Sequence, residues 1–435
     1  MHITRRQFVK VGAGLTFTLS MSLASSISRE ESKPATGMAT AWVNIDTDNT
    51  ITIFCPVCEM GQGSMTALPL ILAEELDADW DNVNIEFSPI DTEVYANPVS
   101  WAHGLMLTAG STAVRAYYNK LRVFGAQIRQ VLLISTAKKL NISIDELSTN
   151  KSLVIHNNSG KQLSYGEIAG FTETPKTLPS ISEQQLKEQS KFRLIGHDVP
   201  RYDIPEKVNG TAVYSIDIQL PDMLYATVQR APVRGATLAK MDHRAALLVP
   251  GIVKIFSLEY GVAVVGRTYA AVLAAVRVLS IEWDMKNSDS EFNSNVALNE
   301  HIETARDLKH SGFMLQENGD LNKALAVASK TYQAEYQTDF VYHAQLEPVN
   351  SVSWVKNGGN NIEIWAGTQS PTHLVRTVAT TLGIPITNVM LHQTYLGGSF
   401  GRRLEMEHEW VVDSVLLSRE FDCPVKSIWR RETDL

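Results

Sequence analysis

Three loops of one design constrain this chain more than any other feature. "CEMGQGSMT" at residues 58–66 and "YLGGSFGRR" at residues 395–403 each leave an apolar β-type run and enter a helical stretch, and "LTAGSTAVR" at residues 107–115 opens another helix. Glycines this dense (Gly61 and Gly63, then Gly110, then Gly397, Gly398 and Gly401 around Ser399 and Phe400) let backbone approach a ligand or close a turn that a Cβ would block. Free amides at a helix N-terminus hold anions. Arg402 and Arg403, like Thr108, Ser111, Thr112 and Arg115, suit phosphate or pyrophosphate. For any one loop a plain turn explains the glycines, but three of one design favour a ligand. None is the phosphate loop of nucleotide triphosphatases, because no Lys-Ser/Thr follows at the right spacing, and none has G-x-G-x-x-G at a first βα turn.

At 435 residues the chain is too long for one compact core, and ordinary domain size predicts about three domains. Its net charge of −8 excludes a general attraction to nucleic acid, which needs a basic face, so any anion site is local. Three cysteines exclude a disulfide framework. Cys55 and Cys58 form a single C-x-x-C. A zinc site needs a second pair and a redox dithiol needs a thioredoxin-like βαβ setting, so two small residues ending a strand is the better reading. His343, His373, His392 and His408 lack metal-ligand spacing, and no metal-ligating side chain is expected.

Residues 1–28 read as an export signal. Thr4-Arg5-Arg6-Gln7-Phe8-Val9-Lys10 is a twin-arginine pattern, followed by an apolar run over residues 11–23 that is short for a membrane span and by small residues. That route carries folded cargo, often with its cofactor loaded, and predicts a periplasmic protein. Beyond it, residues 38–173 alternate β-runs and helices in an α+β lobe. Leu68, Ile71, Leu72 and Leu76 form one helical stripe. Residues 174–206, with four prolines, are linker chemistry. Residues 207–295 form an α/β unit with a helix near residues 268–279, residues 296–329 a polar connector, and residues 330–435 a third unit.

"EMGQGSMTALPLILAEELDADW", "TAGSTAVR", "LEPVNSVSWV", "EIWAGTQSP" and "LGGSFGRR", in that order, resemble the molybdenum-binding large subunit of the isoquinoline 1-oxidoreductase type, in the xanthine oxidase superfamily of molybdenum hydroxylases. The resemblance covers nearly the whole chain. It implies a multidomain α+β architecture with an α/β hammerhead at residues 207–295 between cofactor-binding lobes, the last one incomplete. On this resemblance Gly61, Gln62 and Gly63, with Thr108, Gly110, Ser111, Thr112 and Arg115, hold the pterin and phosphates of molybdopterin cytosine dinucleotide. Gly397, Gly398, Ser399, Phe400, Gly401 and Arg402 approach the molybdenum centre, and Gln369 lies beside the metal.

The resemblance further implies hydroxylation of an N-heteroaromatic ring or oxidation of an aldehyde, with water supplying oxygen. Purine-oxidising relatives carry a glutamate after the glycine loop where this chain has Leu404, which argues against a purine. With no cysteine cluster here, a separate small [2Fe–2S] subunit is implied, with a cytochrome c as onward acceptor. The family's catalytic glutamate is expected beyond Leu435, so residues 1–435 alone are expected to be inactive. Of the carboxylates present, Glu347, Glu405, Glu407 and Glu409 are candidates for that base, but none obviously fills the role, since a carboxylate run on a helix reads as a solvated face. The alternative is a truncated, non-catalytic cofactor-binding or assembly module with the same fold.

Overall fold

The computed structural model describes residues 15–17, 42–173, 175, 177–307, 309 and 312–434. The first unit is built on a four-stranded sheet in the order β1 (Leu15–Phe17), β2 (Val43–Ile45), β3 (Ile51–Cys55) and β4 (Val83–Phe87). Apart from β1, the twin-arginine segment lies outside the described residues. β2 and β3 pair antiparallel across an Asp-Asn turn in which Asn49 has φ 74°, the turn chemistry that the sequence carries there. β4 is parallel to β3, and parallel neighbours require a crossover element. Helix α1 (Ser64–Leu76) is that crossover, and it buries Leu68, Ile71, Leu72 and Leu76. The long helix α2 (Ala113–Leu140) packs against it. The shared core contains Trp42, whose ring centroid lies 5.0 Å from that of Tyr95 and 6.2 Å from that of Tyr117. A small antiparallel sheet of β5 (Leu147–Asn150), β6 (Leu153–His156) and β7 (Gln162–Ser164) completes the unit.

The proline-containing stretch that follows is fastened to α1. Glu74 Oε2 accepts the amides of Arg193 at 2.8 Å and Leu194 at 2.6 Å, while Lys187 Nζ reaches Glu74 at 3.0 Å and Asp77 at 2.9 Å. Burial raises the Glu74 carboxyl, but the Leu194 amide and Lys187 outweigh it and hold the group below its ordinary value. Buried carboxylates at the end of α1 thus turn connecting chain into a strap.

The middle unit contains β8 (Leu224–Arg230), the pair β9 (Thr237–Asp242) and β12 (Ser280–Asp284), β10 (Ile252–Leu258), β11 (Gly261–Gly266) and helix α3 (Tyr269–Val278). Every residue of β11 is buried, as a strand covered on both faces requires. Val262 and Val264 cluster with Val272 of α3 on one side, and Ala263 and Val265 with Leu417 on the other.

The third unit has β13 (Asn350–Lys356), β14 (Asn361–Ala366), β15 (Val389–Gln393) and β16 (Val425–Ile428), with helices α4 (Pro371–Leu382) and α5 (Glu409–Phe421). It shares one seven-stranded sheet with the middle unit, in the order β10-β11-β8-β16-β13-β14-β15. The junction is the parallel pair β8–β16, where Val425 faces Leu224 and Ser427 faces Ala226. α5 approaches β13 through small hydroxyl residues: Ser414 Oγ lies 2.8 Å from Ser351 Oγ and 2.7 Å from Ser353 Oγ. Before β13 come two helices, Ser294–Arg306 and Leu321–Val327, and irregular chain in which Phe313, Leu315, Tyr332, Tyr336 and Leu346 are each more than 80% exposed. Among the described residues no helix is long and apolar enough to cross a membrane.

Candidate functional site

The three glycine loops meet at Gln369, which stands between β14 and the start of α4. Its Nε2 donates to Thr108 O at 2.8 Å, and its carbonyl accepts the Thr108 amide at 2.9 Å. Ser399 Oγ donates to Gln369 Oε1, and the Gln369 amide donates to Arg403 O at 3.0 Å. The first loop joins through the Cys58 amide, 3.1 Å from Thr108 Oγ1, and through Glu59 O, which accepts the Leu396 amide at 3.0 Å. Gln369 therefore clamps the second loop to the third. One of its two amide hydrogens is committed to Thr108, leaving the other for a ligand.

The glycines of the third loop are there for two different reasons. A Cβ on Gly397 would lie 2.3 Å from Glu347 Cβ, so that glycine lets Glu347 pack against the loop, where its Oε2 accepts the Gly397 amide at 2.9 Å. Gly398 and Gly401 have φ 89° and 100°, which only glycine adopts without strain. A Cβ on Gly401 would meet nothing nearer than 3.9 Å, while one on Gly398 would sit in ordinary van der Waals contact with Gln345 and Leu346, the nearest atom at 3.5 Å. Phe400, between them, is 75% exposed.

The arginines of this loop correct the simple anion reading. Arg403 is fully buried, and its Nη2 is 2.8 Å from Glu347 Oε2. Burial pushes its guanidinium below the ordinary arginine value, against the pull of Glu347. Arg402 reaches Asp434 and Glu405, each at 2.6 Å. Both positive charges are balanced by the chain's own carboxylates. Glu347, weighed as a base from the sequence, is likewise committed: Asn350 Nδ2 at 2.9 Å and Arg403 occupy its two oxygens.

The first loop is also satisfied from within. Glu59, which the sequence reading passed over, accepts the amides of Gly61 at 2.8 Å, Gly63 at 3.0 Å and Met65 at 3.0 Å. Gln62 folds back, its Nε2 donating to Cys58 O at 2.8 Å and Ser64 Oγ at 2.6 Å. A carboxylate two residues ahead of a glycine turn into a helix was the available signal. The second loop differs. Thr112 Oγ1 donates to Ala109 O at 2.7 Å and accepts from Asn97 Nδ2 at 2.9 Å, so it does not cap α2, whose start is flanked by exposed Gly110, Ser111 and Arg115.

Cys55 and Cys58 are buried and unbonded to each other, and burial pushes both thiols up to about 12. Burial and protonation speak against a dithiol redox centre, since the accessible thiolate is the reactive form. His408 is buried against Thr368 Oγ1 at 3.1 Å and Met406 O at 3.1 Å, His392 stacks on Trp365, and His343 is exposed. Among the described residues the cluster with metal-ligand proximity is Glu405, Glu407 and Glu409, two members of which pair with Arg402 and Arg230.

The meeting point fits a group that hydrogen-bonds to backbone and polar side chains, with the start of α2 left for an anion. Gly61 and Gly401 turn bare backbone toward space. Ser370 Oγ, Gln345 Oε1 and Arg403 Nε are buried without a hydrogen-bond partner, an unusual concentration of unused polar atoms. The amides at the start of α2 carry no side-chain cap.

The profile of the molybdopterin cofactor-binding domain matches residues 2–219 in one form and residues 305–435 in another. The chain is 36% identical to the beta subunit of isoquinoline 1-oxidoreductase from Brevundimonas diminuta, over 100% of this chain and 60% of that protein. It is 31% identical to a membrane-bound aldehyde dehydrogenase (pyrroloquinoline-quinone) from Gluconacetobacter polyoxogenes, over 100% of this chain and 56% of that protein. The crystal structure of quinoline 2-oxidoreductase from Pseudomonas putida 86 resembles it with a TM-score of 0.43 at 20% identity, over 55% of this chain and 35% of that one. The chain thus spans somewhat under two thirds of the length of these curated relatives. It belongs to the molybdopterin-binding subunits of the xanthine oxidase family.

Proposed function

We propose that this chain supplies the cofactor cradle of a molybdenum hydroxylase that hydroxylates an N-heteroaromatic ring or oxidises an aldehyde with water, and passes electrons to a small [2Fe–2S] subunit and onward to a cytochrome c. The carrying observation is the Gln369 junction, which gathers three glycine loops from distant parts of the chain into one polar hydrogen-bonded network. The names of the two curated relatives, an isoquinoline oxidoreductase subunit and an aldehyde dehydrogenase, support the two substrate classes, and Leu404 supports the exclusion of purines.

When bound, the cofactor supplies two-electron redox chemistry. The chain's own residues hold and orient it. Bare backbone at Gly61 and Gly401 admits the pterin face, and the free amide hydrogen of Gln369 and the hydroxyl of Ser370 offer hydrogen bonds. Ser111 and Arg115, exposed at the start of α2, receive the phosphates of a cytosine dinucleotide, where helix-end amides favour negative charge. Residues 207–295 serve as the α/β hammerhead, and Arg5 and Arg6 direct export to the periplasm.

A second reading, a cofactor-binding module without turnover, is favoured by one observation. The carboxylates bonded to the third loop, Glu347, Glu405 and Asp434, are all held in ion pairs, so none is free to take a proton. Molybdenum and cytosine-nucleotide analysis of the native protein tests the first reading: absence of both defeats it. Assay with isoquinoline and an aliphatic aldehyde, with a small iron–sulfur subunit supplied, separates the two, since pterin content without turnover leaves only the second.

A further inference from the structure

The first glycine loop is organised around a carboxylate that the proposed chemistry does not use. Glu59 is fully buried. Its Oε1 accepts from Gly61 and Gly63 and its Oε2 from Met65, at 2.8 to 3.0 Å, so one side chain gathers three amides around the start of α1. Arg201 Nη2 approaches the same carboxylate at 3.4 Å and Lys207 Nζ at 3.9 Å. Arg201 Nη1 also donates to Gly61 O at 3.0 Å, holding the loop from its outer side. Asp203 balances the two cations, 2.6 Å from Arg201 and 2.5 Å from Lys207. Behind the carboxylate, Glu59 O holds the Leu396 amide, one residue before Gly397, and Lys207 Nζ lies 5.1 Å from the Tyr395 ring centroid.

A helix start attracts an anion because its first amides lack partners and carry partial positive charge. Here the chain's own carboxylate fills that seat with charge-assisted hydrogen bonds. The seat is therefore closed to a phosphate, and the backbone beyond it is pinned in one shape. At Gly61, where a Cβ would meet nothing within 4 Å, that pinned backbone faces space.

We propose that Glu59 is a positioning residue: it locks the first glycine loop against the third, so that Gly61 and the Gly398–Gly401 turn form one preset cradle for the pterin, and it excludes the cofactor's phosphates from the start of α1. This rests on the molybdopterin reading. Glu59→Gln keeps the shape but replaces one oxygen with a donor that faces either the Met65 amide or the pair at Gly61 and Gly63.

The test uses the full-length protein made in a host that synthesises the molybdenum cofactor. Glu59→Gln is expected to lose at least tenfold in pterin content while its urea midpoint stays near that of the wild type. Arg201→Gln, at a half-exposed position, is expected to lose severalfold. In Glu59→Ala, added acetate is expected to restore slow hydrogen exchange at Gly61, Gly63 and Met65, and acetamide is not. Wild-type pterin content in Glu59→Gln overturns the proposal, and so does pterin loss that only follows loss of fold. If Glu59→Gln does not fold, the Arg201→Gln and acetate results decide, and absence of either effect is contrary. Lack of pterin in the wild-type protein counts against the molybdopterin reading itself, and the acetate experiment, which needs no cofactor, still decides whether Glu59 sets the loop.

Discussion

The side-chain amide of Gln369 donates to the carbonyl of Thr108 at 2.8 Å, across 261 positions of sequence, and its oxygen accepts from Ser399. One side chain thus couples the opening of α2 to the glycine loop after β15. Gln369→Ala removes both bonds and leaves buried groups unsatisfied, at a cost of about 1–3 kcal/mol for each. The expected result is a lowered urea midpoint with cofactor lost beyond the unfolded fraction, read by pterin fluorescence beside circular dichroism. Full cofactor content in a folded Gln369→Ala protein would contradict the clamp.

Gly397 and Gly398 are neighbours with different duties, and substitution separates them. Gly397→Ala drives a methyl group into Glu347 and crowds the buried pair with Arg403, an overpacking that costs about 3 kcal/mol or more. Gly398→Ala has room but keeps a left-handed backbone, which costs about 1 kcal/mol or somewhat more. Chemical denaturation should rank Gly397→Ala as clearly the less stable. In Gly398→Val the larger side chain crowds the loop beside Gln345 and Leu346, so molybdenum should be lost from a protein that is still folded. Full metal occupancy there would place the cofactor elsewhere.

His408 predicts a pH dependence. Burial, with His373 adding to it, pushes its imidazole down to about 4, whereas an unfolded histidine titrates near 6.5. The unfolded chain binds the proton first, so stability is flat above about pH 6.5 and falls between there and about pH 4, by a few kcal/mol at most. Asp77 and Asp203, held below their ordinary values against burial by their cationic partners, and Glu74, held there first by the Leu194 amide and then by Lys187, contribute stability that is lost at lower pH, as it falls through their folded pKa values. Urea melts from pH 7.5 to 4.5 should therefore show a slope that His408→Gln flattens in the upper window. An unchanged slope in that variant would assign the effect to other groups.

The thiols offer a third readout of burial. Cys55 and Cys58 are shielded and protonated, and Cys423 is half-buried. A thiol reagent at pH 8 should modify Cys423 first in the native protein and reach all three only in denaturant. Rapid native labelling of Cys55 or Cys58, followed by mass spectrometry, would show that this strand end opens.

Much of the architecture was legible from local pattern. The stripe on α1, the turn at Asn49, the helix near residues 268–279 and the order of the glycine loops all depend on spacing within a few residues, which sequence displays directly. The likeness of five motifs in order was enough to identify the family. The exposed and buried roles within those motifs were not legible. Arg402 and Arg403 look alike in the sequence, yet one faces Asp434 and Glu405 while the other is buried on Glu347. Glu59 is an acidic residue beside a glycine loop until the fold brings Arg201, Lys207 and Leu396 to it. The joining of β8 to β16, which makes one sheet of two units, is equally invisible, because strand pairing is set by partners far away in the chain. Local periodicity decides which segments become helix or strand. Only the close approach of distant segments decides which charges are neutralised, which glycines admit a neighbour and which leave room for a ligand.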